Sequence, residues 1–369
     1  MSDSFGDGSA ASAGSDSFTE TSTEGWGSRL GGSLVAALIG LVLVPAAIVL
    51  MYWNEGRAVD AIRALDRGAT SIVEVNAAAV DPATNAKLVH VIGMLQPSTP
   101  AKDPVFGVTA DGLVRLTRSV EMYQWKEETS TTSQQNVGGS KTTQTTYNYR
   151  REWSAQPIDS GHFKVPGGHQ NPPMQQRSAT FDGAGVKVGA WQVDPSVLDK
   201  VSAFTPVRAQ SPPPSGYQVS GDRFYHGQDP GQPAIGDERV NFTGVPAQTV
   251  SVAAAQASGV LTAFRDANGY TIALAEPGVV SADVLFHDEK KSEGVLTWIL
   301  RGVGFVLMLI GFVCMTRPLT MLFAVLPFLE SLVGAGAFLV ALTLAVPVTL
   351  LTWFLLRRVR PRRAVGAAV

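Results

Sequence analysis

The chain has 369 residues, with 29 Lys and Arg against 31 Asp and Glu, a formal charge of −2 and a pI near 6.2. Phosphate binding demands clustered cations, so this balance leaves no footprint for nucleic acid. Cys314 is the single cysteine and falls inside an apolar run, which excludes an intramolecular disulfide, a zinc finger and a redox pair.

Residues 1–29 are mostly Ser, Gly, Thr and acid, including Asp3, Asp7, Asp16, Glu20 and Glu24, and predict a disordered acidic tail with little to bury. Residues 30–53 then carry no charge. A hydrocarbon core of about 30 Å needs ~20 helical residues, so this run predicts a transmembrane helix. It has no basic leader and is too long for a secretory signal, which marks it as a retained anchor. Gly32, Ala36 and Gly40 recur every four residues and mark a face for close helix association.

Residues 54–290 read as a large β-rich extramembrane domain. Asn54, Glu55, Gly56, Arg57 and Ala58 follow the first span, and Val59, Ile62 and Leu65 come next at helical spacing. They predict an amphipathic helix, lying on the membrane or packed as an ordinary surface helix. β-Branched runs between turn signals predict strands over 71–75, 88–94, 113–117, 186–193, 239–245 and 249–254. The clearest pair sets 120–126 against 147–153, a hairpin with an aromatic face on which Tyr123 and Trp125 can face Tyr147, Tyr149, Arg151 or Trp153, subject to register. Its connection, 129–146, is almost wholly Thr, Ser, Gln and Gly and predicts a mobile tip. Residues 167–173, with His169 and Asn171, and 221–226, with His226, are dense turn sequences. With Asp237 they are either turn chemistry around satisfied histidines or a polar ligand pocket. Ser281 is placed to cap a helix that leads into the second span.

Residues 295–316 carry only Arg301, placed where a long side chain can reach back to the headgroups, and predict a second span. Residues 331–356 are uncharged and predict a third. Between them, 318–330 is broken by Pro327 and too short to cross, which suits an interfacial or re-entrant segment. The basic tail 357–369 holds Arg357, Arg358, Arg360, Arg362 and Arg363, a topology determinant or a contact for anionic lipid. The fold expected is therefore an α+β membrane protein, with a mainly β domain between one N-terminal and two C-terminal transmembrane helices. With three crossings the Arg cluster places the large domain in the cytoplasm; a fourth crossing through 318–330 would place it outside.

No GxSxG, SxxK, HExxH or phosphate-binding loop is present, so no catalytic residue, cofactor or metal ligand is assigned and the chain is not read as an enzyme. No Asp, Glu, Lys or His lies in mid-span, which disfavours ion-coupled transport.

Several motifs occur in a recognisable order. They are Asn54-Glu55-Gly56-Arg57-Ala58, Val89-His90-Val91-Ile92-Gly93, Val120-Glu121-Met122-Tyr123-Gln124-Trp125, Glu152-Trp153-Ser154, Gly168-His169-Gln170-Asn171-Pro172 and Phe224-Tyr225-His226. In this the chain resembles the transmembrane protein 43 family, also called LUMA. The resemblance implies a four-span protein whose large domain lies on the luminal side, and a scaffold that oligomerises and organises membrane protein complexes. Animal members reside in the endoplasmic reticulum and inner nuclear membrane. The richness in Ala, Gly and Arg points instead to a bacterial chain in the cytoplasmic (inner) membrane. The partners expected are membrane lipids and further copies of the chain. The alternative is a lipid or small-ligand binding domain, or a membrane hydrolase, with a site around His169, Asn171, His226 and Asp237.

Overall fold

Helix and strand divide this chain by hydropathy. The computed structural model describes residues 16–210 and 212–359. The first half of the chain forms β1 (Ser17–Glu24), α1 (Trp26–Ser71), β2 (Val73–Val75), β3 (Leu88–Gln96), β4 (Leu113–Gln135), β5 (Lys141–Ser154) and β6 (Ala179–Asp182). The middle forms β7 (Lys187–Val188), β8 (Trp191–Val193), α2 (Pro195–Leu198), β9 (Thr205–Val207), β10 (Gln218–Ser220), β11 (Arg223–His226) and β12 (Glu238–Pro246). Then come β13 (Gln248–Ala257), β14 (Val260–Thr262), β15 (Phe264–Arg265), β16 (Thr271–Ile272), β17 (Leu274–Pro277), α3 (Ala282–Leu322) and α4 (Pro327–Val359).

Among the described residues three helices are long and apolar enough to cross a membrane: Trp26–Ser71, Ala282–Leu322 and Ser331–Thr352. The expected fold class therefore holds, with one such helix before the β-rich domain and two after it. α1 and α3 pack antiparallel, burying Ser33, Gly40, Ala47 and Met51 along one stripe of α1. At the crossing a Cβ on Gly40 would collide with the carbonyl of Gly311, and one on Gly304 would stand 2.7 Å from Met51. Glycine is what lets these backbones approach.

The domain is built on two sheets. In one, the pairings β13–β3, β3–β7, β7–β8, β8–β14 and β14–β13 return on themselves and close a five-stranded ring. Closure leaves those strands without a free edge. Val89, Val91, Val188, Trp191, Val252 and Leu261 belong to the core packed within and beneath it. The other sheet has the order β1-β5-β4-β12-β11-β10, and Phe106, Leu116, Val120, Phe224 and Phe242 belong to its core. A third cluster, with Leu65, Ile272, Leu285 and Phe286, seats the domain on α1 and α3. A Cβ on Gly68 would stand 2.8 Å from the Phe286 ring.

Three local expectations change. Residues 1–15 lie outside the described residues, but Ser17–Glu24 is a strand and not a disordered tail. Thr19, Thr21 and Thr23 pair with β5, and Glu20 bonds Lys164 at 2.6 Å, so a sequence with nothing to bury is ordered by backbone pairing. The connection 129–146 is mostly strand as well: β4 and β5 pair up to Gln135↔Lys141, leaving only 136–140 as the turn. Threonine suits such a pleated surface, and Ser133 and Thr143 hydroxyls meet at 3.2 Å. Residues 54–71 form no separate amphipathic helix; they continue α1, with Ala61, Ala64, Leu65 and Gly68 buried. Residues 318–330 are the end of α3, a short turn, and the start of α4 with Pro327 as its first residue, where its missing N–H costs nothing.

β1, β5 and the outer half of β4 form a polar ribbon that leaves the domain and touches the far ends of the helices. Gly138 N–H donates to the Val325 carbonyl at 3.0 Å, Gln135 Nε2 to the Ala324 carbonyl at 3.4 Å, and Arg29 to the Gly139 carbonyl at 2.6 Å. From Trp125 to Gln135 the ribbon covers about 34 Å at ~3.4 Å per residue. From Trp26 to Trp53, α1 covers about 40 Å at ~1.5 Å per residue. Ribbon and apolar helix thus run the same course.

Candidate functional site

The root of the ribbon carries the aromatic face read from the sequence. The register sets Tyr123 opposite Trp153, Trp125 opposite Arg151 and Glu127 opposite Tyr149, and the two-residue spacing puts all six on one face. Tyr123 and Trp153 rings lie 5.3 Å apart, and Trp153 meets the edge of Tyr225 at 6.2 Å. The Arg239 guanidinium stands 4.5 Å over Trp153 and is held by Glu121 at 2.6 Å, while Arg151 stands 5.2 Å over Trp125. His169 is 2% exposed, stacks on Tyr149 at 3.9 Å and meets the edge of Trp125 at 4.8 Å. Its Nδ1 lies 3.0 Å from the Val165 carbonyl, which can only accept, so that nitrogen carries a proton.

Asn171 imitates a strand. Its Oδ1 accepts from Trp125 N–H at 2.7 Å and its Nδ2 donates to the Trp125 carbonyl at 2.9 Å, which ends β4's pairing on that edge. Beyond it, the β4 edge from Glu128 to Gln135 has no further strand beside it among the described residues, and neither has the outer edge of β1 from Phe18 to Glu24. The two open edges are level: Thr21 pairs with Gln144, which pairs with Thr132.

Tyr149 donates to Glu127 at 2.8 Å and accepts from Val165 N–H at 2.8 Å. Burial, and then the hydrogen bond to Glu127, push its phenol from 10.0 up to about 12. The folded protein therefore keeps this proton where the unfolded chain loses it, so its contribution is complete below pH 10 and is lost as pH rises toward about 12. Tyr149→Phe is expected to remove a phenolate transition near pH 12 and to flatten the loss of stability above pH 10. Ultraviolet titration checks it, and a transition lost near pH 10 instead would contradict the assignment.

The remaining candidates do not join this group into one cavity. Asp237 accepts from the Tyr225 hydroxyl at 2.6 Å and from Ala234 N–H at 2.9 Å, and its carbonyl takes Tyr123 N–H at 2.8 Å, a structural corner. His226 follows Tyr225 in a strand and faces the other side, where it meets Tyr217 at 5.3 Å and Gln175 at 3.4 Å. No contact joins it to His169 among the described residues. Nor do three His, Cys, Asp or Glu side chains gather there to hold a metal ion. Of the helix face, Gly40 packs inside the molecule against α3, while Gly32 has open space around it and Ala36 is half-buried. Arg357 and Arg358 fall in the last turns of α4; Arg360, Arg362 and Arg363 lie outside the described residues.

A second cluster was not assigned from the sequence. Where α1 leaves the apolar run, its polar side chains meet those of α3. Glu55 grips Arg301 through two bonds of 2.6 and 3.0 Å, with side chains 7% and 14% exposed, and Arg301 also lies 4.7 Å over Trp298. Arg301 therefore turns to a carboxylate within the protein, not only to headgroups. Asn54 Nδ2 donates to the Thr297 carbonyl at 3.1 Å, and Arg57 pairs with Glu293 at 2.5 Å. Tyr270 donates to the other oxygen of Glu293 at 3.0 Å; burial and that carboxylate hold its phenol above its ordinary value. Further out, Lys290 bonds Asp66 at 2.6 Å. The available signal was the pair of charged motifs, Asn54 to Arg57 and Glu293 to Arg301, at the two ends of the domain's insertion.

Three apolar helices, a β-rich insertion between the first two, and a collar of paired charges at their junction define an integral membrane protein. The chain belongs to the transmembrane protein 43 family: the family model described as Transmembrane protein 43 matches residues 122–357. It is 32% identical over 346 residues to Transmembrane protein 43 of Homo sapiens, covering 90% of this chain and 86% of that protein. The protein of that name from Rattus norvegicus is 32% identical over 338 residues, covering 88% of this chain and 84% of its own length. The Transmembrane protein 43 homolog of Drosophila melanogaster is 30% identical over 338 residues, covering 88% and 89%. No solved structure matches the chain.

Proposed function

We propose that the chain is a non-enzymatic membrane scaffold that self-associates through its polar ribbon and organises other membrane proteins around its β-rich domain, in the cytoplasmic membrane of a bacterial cell. The observation that carries this is the ribbon. With the apolar helices in a bilayer, the ribbon stands at the depth of the hydrocarbon, where lipid offers no hydrogen bonds. Its Thr, Ser and Gln side chains and its two open edges then need water or protein beside them. Another copy supplies both: β1 of one chain against β4 of the next extends the sheet, and repetition closes a ring with no edge left. Tyr123, Trp125 and Trp153, with Arg239 and Arg151 over the rings, form the aromatic surface at the ribbon's root that suits protein contact. The separation of His226 from His169 and Asn171 favours this reading over a hydrolase.

Mass photometry of the chain extracted directly into lipid nanodiscs tests the proposal. Particles holding several copies are expected. Single copies at every protein density would contradict it.

A further inference from the structure

A cavity of about 540 Å³ lies between α1 and the turn that joins β15 to β16. Val49, Trp53, Gly56, Arg57 and Asp60 form its wall on α1, at spacings that place them on one helix face, and Tyr270 closes it from the turn. It sits where the uncharged run ends, so in a membrane it opens at headgroup level. Trp53 is 55% exposed there, as interfacial tryptophans are.

Two groups in this cavity have polar capacity left unmet. The Arg57 guanidinium is held through Nη1 by Glu293 and through Nη2 by the Thr297 hydroxyl at 3.4 Å, while its Nε is buried without a hydrogen-bond acceptor. One turn on, Asp60 is exposed and has no ion-pair partner among the described residues. From the same face an exposed valine stripe, Val49, Val42 and Val35, repeats every seven residues down into the apolar run.

We propose that this cavity holds the headgroup of a phosphatidylethanolamine, its phosphate accepting from Arg57, its ammonium donating to Asp60, and an acyl chain lying along the valine stripe. Charge selects this headgroup. Glu293 already balances Arg57, so a headgroup that is only anionic meets Asp60 and Glu293 with nothing to offer either carboxylate. A trimethylammonium has no N–H to donate to Asp60. Ethanolamine supplies both signs on a short bridge, and Arg57 and Asp60, three residues apart on a helix, stand about 5–6 Å apart at Cβ. The valine stripe requires the lipid and not the free headgroup.

Native mass spectrometry of the full chain, equilibrated with equal amounts of phosphatidylethanolamine, phosphatidylcholine and phosphatidylglycerol, tests this. The ethanolamine lipid is expected to be retained about tenfold over each of the others. Asp60→Asn is expected to abolish that preference, and Arg57→Gln to lose the lipid. Because Arg57→Gln also strips Glu293 of its cation, Asp60→Asn carries the decision, since Asp60 makes no ion pair among the described residues. Equal retention of the three lipids, or a preference unchanged in Asp60→Asn, would overturn the assignment, as would displacement of the lipid by soluble phosphoethanolamine. The number of chains per particle is read from the same spectra, so failure of this site and failure of self-association are distinguishable.

Discussion

Glu55→Ala is expected to destabilise the helix junction by about 3–5 kcal/mol, the range seen when one partner of a buried ion pair is removed. Glu55 holds Arg301 through two bonds, with side chains only 7% and 14% exposed. Deleting the carboxylate leaves a largely buried guanidinium beside Trp298 without the charge that balances it, at a depth where water is scarce. The cost is therefore a buried charge that loses its balancing carboxylate more than a lost bond. Removing both partners should be far milder, and Glu55→Leu with Arg301→Met is expected to recover most of the loss. Thermal unfolding of the single and double variants in nanodiscs checks this. Additive losses would contradict the account.

Trp191→Ala is expected to cost a similar 3–5 kcal/mol by a different route, through the cavity left when a large buried side chain is removed. Trp191 is 0% exposed within the core of the five-stranded ring, and its Nε1 donates to the Asn76 carbonyl at 3.0 Å. Closed pairings around the ring leave little freedom to collapse onto the void. Trp191→Phe should lose less, because it keeps most of the volume while leaving the Asn76 carbonyl unpaired. Hydrogen exchange separates the two mechanisms: Trp191→Ala is expected to open β3, β7 and β13 first, and Glu55→Ala the junction of α1 with α3. A loss below about 1 kcal/mol for Trp191→Ala would show that the ring collapses around the gap.

What the sequence made legible follows from what is local. Hydropathy alone locates the apolar helices, because twenty or so uncharged residues have one solution in lipid. Strand positions such as Leu88–Gln96 and Glu238–Pro246 follow from β-branched residues between turn formers. That Tyr123 and Trp125 share one face follows from alternation, while the register that sets Tyr123 against Trp153 comes only with the folded hairpin. What stayed hidden is non-local. Ser17–Glu24 and 129–146 have the composition of linkers, and only pairing among three such segments makes them a ribbon. The Glu55–Arg301 pair joins residues 246 positions apart, and nothing in either neighbourhood names the other. Asn171 looked like turn chemistry or a ligand group, and it is a side chain that completes a strand edge.

Disulfide trapping between the ribbon's two edges tests the central claim most directly. In a Cys314→Ser background, Thr21→Cys and Thr132→Cys place one thiol on each open edge. Within one chain these positions are separated by β5, about 9–10 Å at ~4.8 Å per strand, beyond the ~7 Å that a disulfide tolerates. Mild oxidation of native membranes is expected to give a ladder of covalent dimers and larger species from the double variant, and no ladder beyond dimers from either single variant. Monomer alone from the double variant, and from shifted pairs of Thr132 with Thr19 or Thr23, would contradict assembly through the ribbon.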